Sequence, residues 1–161
     1  MAVQLPLHSL ADDVATTKRA IDLLGGPVIL VGHSYGGMVI TNAAYNNPNV
    51  KGLVYVAALA PNQGQSLGDL LKPSEIYPKD LLKPDSGGFV YLNPTLFRQY
   101  FAQDVDPAQA NVMVATQKPP NQSIIPEKSG PHLGRDDCSR KILHIAVHQT
   151  MLLLLEHIQL L

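Results

Sequence analysis

The sequence predicts an α/β fold, a short parallel sheet with flanking helices followed by a helical cap region. Three observations carry this. Two apolar runs, Val28 to Val31 and Gly52 to Ala60, have the form of strands buried on both faces of a parallel sheet. Apolar residues return at helical spacing between positions 10 and 24, and a second helix-like stretch from Gly36 lies between the two runs. Strand, helix and strand joined by short links form a βαβ unit, whose right-handed crossover makes the strands parallel.

Each element has its own local signal. Ala2 to Leu5 is a short β-prone run closed by Pro6, and Ser9 with Asp12 three residues on gives a capping-box-like helix start. Leu10, Val14, Ile21 and Leu24 then form an apolar stripe. Asp12, Asp13, Lys18 and Arg19 are among the intervening polar positions, and Gly25, Gly26 and Pro27 end the helix. From Gly36 to about Asn46 the residues Met38, Val39, Ile40, Ala43 and Ala44 suit a short, nearly all-buried helix, stopped by the Asn-Asn-Pro-Asn run at 46–49. Beyond Pro61 the chain breaks into Pro- and Gly-punctuated pieces with a small β-like run, Phe89 to Leu92. Two helices follow, one opened by Asn93 and Pro94, the other by Asp106 and Pro107. Residues 1–60 therefore hold the sheet core, 61–131 a cap, and 132–161 a C-terminal segment of different character.

Composition bounds the function. The 161 residues are 45% hydrophobic and 16% charged, which fits one globular domain. A net charge of -1 with interspersed signs offers no face for nucleic acid and no polybasic membrane patch. The one cysteine, Cys138, cannot pair within the chain, and no Cys/His cluster has metal-ligand spacing. The N-terminus has no signal-peptide pattern, and the Met151 to Leu155 run is too short to span a bilayer. The expectation is a cytoplasmic protein without metal or cofactor, of undetermined oligomeric state.

The chemistry concentrates at Gly32, His33, Ser34, Tyr35 and Gly36, a G-x-S-x-G pattern placed directly after a strand and before a helix. In that context the serine sits on a sharp, strained turn, and a Cβ at Gly32 or Gly36 is expected to collide with its neighbours. The turn lifts the Ser34 hydroxyl above the sheet edge and directs the Tyr35 N–H, with the helix N-terminus behind it, toward a developing oxyanion. A glycine-rich turn that serves only strand-helix packing is the alternative. Neither phosphate-binding glycine pattern occurs.

With these residues the chain resembles the α/β-hydrolase superfamily, and within it small bacterial esterase-like hydrolases. The likeness runs through 2–21, 26–44 and 50–67 and on to about Pro131. It implies a partial α/β-hydrolase fold with Ser34 as nucleophile, Tyr35 as one oxyanion donor, Gly32, His33, Gly36 and Gly37 as the structural elbow, and a cap lining an ester pocket. It also implies that Ala2 to Leu5 is the family's fourth strand and that a strand is missing beside Val28 to Val31. The His-Gly turn that supplies a second oxyanion donor in the family does not occur here.

The family order of serine, acid and histidine leaves Asp136 or Asp137 as acid and His144, His148 or His157 as base, with Asp137 and His144 the pair taken forward. The competing reading makes them loop carboxylates and imidazoles on an amphipathic segment, since Asp136 and Asp137 follow no strand-like run. The resemblance implies hydrolysis of a small-molecule carboxylic ester through an acyl-enzyme on Ser34. A truncated domain without turnover, acting at most as a binding or interaction module, is the other class.

Overall fold

The computed structural model describes residues 1–71, 78–131 and 141–145. In chain order the elements are α1 (Leu10–Leu24), β1 (Val28–His33), α2 (Gly36–Ala43), β2 (Val50–Val56), α3 (Leu67–Leu70), β3 (Leu82–Pro84), β4 (Val90–Leu92), α4 (Pro94–Phe101), α5 (Pro107–Ala115) and β5 (Lys141–Ile145). The described residues fall into two compact units. One lies within Val3–Lys72 and Ser123–Ala146, the other within Met1–Ala2 and Pro73–Gln122.

The first unit is a parallel sheet in the order β1-β2-β5. Its register sets Leu30, Leu53 and Ile142 in one row and Val31, Val54 and Leu143 in the next, so the two rows face opposite sides of the sheet. Leu30, Leu53 and Tyr55 pack with Ile21 of α1, with Ile40 and Ala43 of α2 and with Ala44, the C-cap of α2. Met38 and Val39, on the same helix, close a second cluster with Leu10. Burying each such aliphatic side chain stabilises by about 1.5–3 kcal/mol, so α2 is the helix around which this unit is assembled.

The expected caps form at α1. Ser9 is extended and its Oγ accepts the Asp12 N–H at 3.0 Å, while Gly25, at φ +65°, ends the helix by donating to Asp22 O. The buried face comprises Leu10, Asp13, Thr17 and Ile21. Asp13, expected among the outward polar positions, turns inward because spacings of three and four keep it on the Leu10–Ile21 stripe.

Three strand expectations need correction. Ala2 to Leu5 forms no strand, and among the described residues no strand flanks β1 on the side away from β2; local β preference does not make a strand unless a ladder forms beside it. The run Val28–Val31 is not buried on both faces, since Ile29 and Val31 are 65% and 41% exposed. Lys141–Ile145, expected in an amphipathic segment, pairs in parallel with Gly52–Val56 as β5.

The second unit is built on the antiparallel β3–β4 hairpin and the α4–α5 pair. Asn93 and Asp106 cap their helices as expected, each with proline in the first turn. Phe97, Ala102 and Ala110 form its buried cluster, with Leu92, Val105, Met113 and Val114 packed around it.

Candidate active site

The junction of β1 and α2 is a tight bend. Ser34 has φ +50°, a left-handed conformation that non-glycine residues adopt at a cost of about 1–3 kcal/mol. Tyr35, already in helical conformation, is the N-cap residue of α2. Two hydrogen bonds to the Ser34 carbonyl oxygen fix the bend, from Gly37 N–H and Leu59 N–H, each 3.0 Å long. The Ser34 hydroxyl and the Tyr35 N–H are not hydrogen-bonded to any described residue, and Ser34 is half-buried.

The glycines divide differently from expectation. A Cβ on Gly32 would lie 2.6 Å from Gly36 O and 2.9 Å from Gly37 N, so that position requires glycine. Gly36 does not, because a Cβ there meets nothing within 4 Å. The close approach belongs to Gly37, whose Cβ would collide with the Leu59 carbonyl oxygen and lie 2.9 Å from the Ala58 Cβ. The G-x-S-x-G pattern records residue identities, whereas this collision depends on the loop after β2 folding back over α2. Ala57, at φ +40°, turns that loop.

Tyr35 reaches away from the bend into α1. Its hydroxyl donates to Asp13 Oδ2 at 2.8 Å, and Asp13 Oδ1 accepts the Leu7 N–H at 2.8 Å. Burial first, then the hydrogen bond and charge of Asp13, then the charge of Glu127, hold the Tyr35 hydroxyl far above its ordinary pKa. Glu127 itself accepts the Leu10 N–H at 2.9 Å, a carboxylate at the positive end of α1. The sequence alone does not mark Asp13 or Glu127 as part of the site. The signal for Asp13 was its place on the apolar stripe.

Two described histidines lie on the sheet, His33 on β1 and His144 on β5. His33 ends β1 beside Val56, and burial lowers its pKa from the ordinary value. His144 is the β5 register partner of Tyr55, and its ring stacks on the Tyr55 ring at 4.8 Å between centroids. Tyr55 pairs with Gly32 on its other side, so two strand spacings, about 10 Å, separate the backbones of His144 and Gly32. Asp136, Asp137, His148 and His157 lie outside the described residues. Three carboxylates between residues 61 and 131 have structural partners: Asp69 completes a capping box with Ser66, Asp85 accepts two turn N–H groups, and Asp106 caps α5. Lys128 and the Ser66 hydrogen bonds hold the Asp69 carboxyl far below the usual range. Among the described residues, no group of acidic, His or Cys side chains could hold a metal ion. None of their helices is long and apolar enough to cross a membrane.

A parallel strand, a serine at positive φ and a helix follow one another here in the strand-turn-helix order of α/β-hydrolase domains. The model of the alpha/beta hydrolase family matches residues 4–153, and the chain belongs to that family. A carbendazim hydrolyzing esterase of Nocardioides sp. (strain SG-4G) is 39% identical over 90 residues, spanning 51% of this chain and 36% of that protein. A probable hydrolase of a Phoma species is 28% identical over 107 residues, spanning 63% and 43%. An extracellular alpha/beta-hydrolase from a Paenibacillus species superposes with a TM-score of 0.65 at 25% identity, over 85% of this chain and 58% of that one. The chain thus spans less than half the length of these two curated relatives.

Proposed function

We propose that this chain carries the nucleophile elbow of a serine hydrolase acting on small-molecule carboxylic esters. Ser34 Oγ attacks the ester carbonyl carbon, and the displaced electron pair settles on the carbonyl oxygen, for which the Tyr35 N–H is the proposed donor. An imidazole takes the hydroxyl proton and returns it to the departing alcohol as the C–O bond breaks, leaving an acyl group on Ser34 that water removes by the reverse sequence. His144 as base and Asp137 as acid are the proposed pair for that proton. The observation that carries the reading is the positive φ of Ser34 at the strand-helix junction. The esterase named among the relatives supports the choice of substrate class.

A second reading is favoured by one observation. The His144 ring is stacked on Tyr55, and its backbone lies about two strand spacings from that of Gly32. Removal of the histidine of a serine triad costs about 10⁶ in kcat in a protease. Without an imidazole in reach, this is an α/β-hydrolase domain that does not turn over and that binds ligands or partners. Labelling with a fluorophosphonate probe, run beside p-nitrophenyl acetate hydrolysis, separates the two. A probe adduct abolished by Ser34→Ala, together with turnover, supports the hydrolase. An unlabelled Ser34 and no turnover leave the domain without catalysis.

A further inference from the structure

We infer that Asp13 is a positioning residue for the elbow: by accepting the Tyr35 hydroxyl, its carboxylate fixes the Tyr35 peptide and with it the N–H beside Ser34. This rests on the reading of Ser34 as nucleophile and Tyr35 N–H as oxyanion donor. Asp13 is wholly buried, and each carboxylate oxygen takes one donor, Tyr35 OH and Leu7 N–H, both at 2.8 Å. Among the described residues no cation pairs with it. A buried polar group is costly to hold unless it is hydrogen-bonded, and both Asp13 oxygens are.

What those bonds hold is strain. Leu7, at φ +62°, and Ser34, at φ +50°, are both non-glycine residues in the left-handed region. Such conformations persist only where the surroundings over-determine them. One Asp13 oxygen holds Leu7 directly. The other acts on Ser34 through Tyr35, whose ring is packed against the Leu10, Met38 and Val39 cluster and so transmits the anchor at its hydroxyl to its peptide. Asp13 touches no reacting atom in this arrangement. Its effect runs through Tyr35.

Tyr35→Phe keeps the ring and removes the hydroxyl; Asp13→Asn keeps the shape and removes one acceptor. Two readouts apply to the full chain, well below the melting transition of each variant. The first is the rate of fluorophosphonate addition to Ser34. The second is amide exchange at Gly37 and Leu59, whose N–H groups bond to Ser34 O. Each single variant is expected to slow labelling about tenfold to a hundredfold, and the double variant is expected to be no slower than the slower single one. Exchange at Gly37 and Leu59 should rise about tenfold while the second half of α1 keeps its protection. Wild-type labelling and exchange in Tyr35→Phe overturn the inference and leave the Ser34 reading standing. If the wild-type chain takes no label, the Ser34 reading falls, and exchange alone then decides Asp13: faster exchange at the elbow supports positioning, and unchanged exchange refutes it. Should Asp13→Asn fail to fold, Tyr35→Phe carries the same decision.

Discussion

The backbone of Leu59 lies against Gly37, its carbonyl oxygen occupying the space a side-chain carbon would need, while its N–H bonds to Ser34 O at 3.0 Å. One segment after β2 thus both requires the glycine and secures the bend, and substitutions at the elbow glycines should separate accordingly. Gly37→Ala and Gly32→Ala force backbone apart and should cost about 3 kcal/mol or more. Gly36→Ala meets open space in the first turn of α2 and should be tolerated or stabilise by up to about 1 kcal/mol, the helix preference of alanine over glycine. Urea melts of the three variants measure this; equal losses at Gly36 and Gly37 would contradict the assignment of the close approach.

Thr41 joins the same helix to the sheet. Its single hydroxyl proton goes to Gly37 O at 2.6 Å, so at 2.7 Å the Tyr55 hydroxyl donates to Thr41 Oγ1. Thr41→Val leaves the buried Tyr55 hydroxyl without an acceptor and should destabilise by about 1–3 kcal/mol. Adding Tyr55→Phe removes the stranded donor, so the double variant should recover part of that loss. A double-mutant cycle by thermal melting measures the coupling, and strictly additive losses would show that the two hydroxyls do not depend on each other.

The pH dependence follows from His33. Burial lowers its folded-state pKa below the unfolded value of about 6.5. As pH falls through 6.5 the unfolded chain takes up this proton before the folded one does, so the proton favours unfolding. The contribution of His33 to stability is complete above about pH 6.5 and declines below it, down to the folded pKa. His33→Gln should flatten the stability profile between about pH 5 and 7, where carboxylates titrate little. An unchanged slope in that window would mean that the imidazole is not excluded from water.

Much of the fold could be read residue by residue because the responsible physics is local. Ser9, Asn93 and Asp106 cap helices through N–H groups two or three residues away, and Gly25 ends α1 through its own backbone freedom. The βαβ order around Val28–Val56 also follows from short-range pattern and the handedness of the crossover. Strand state is different, since it requires a partner elsewhere in the chain. Ala2 to Leu5 is β-prone yet joins no sheet among the described residues, whereas Lys141–Ile145 becomes a strand because Gly52–Val56 offers an edge. An apolar run likewise cannot reveal which of its faces is covered, and Ile29 and Leu143, at 65% and 54% exposure, lie on the side that Leu30 and Leu53 turn away from.

At the candidate site the sequence by itself determined the composition of the elbow: glycine, serine and tyrosine in the order that a strand-to-helix turn demands. Only the tertiary structure decided which glycine is indispensable, that Asp13 faces inward to hold Tyr35, and that His144 stands beside Tyr55 on a third strand. The reason is range. A turn is specified by torsions within a few residues, but a close approach, a buried carboxylate and a pair of stacked rings are made by segments 22 to 89 positions apart in the chain, which only the packing of the whole unit brings together.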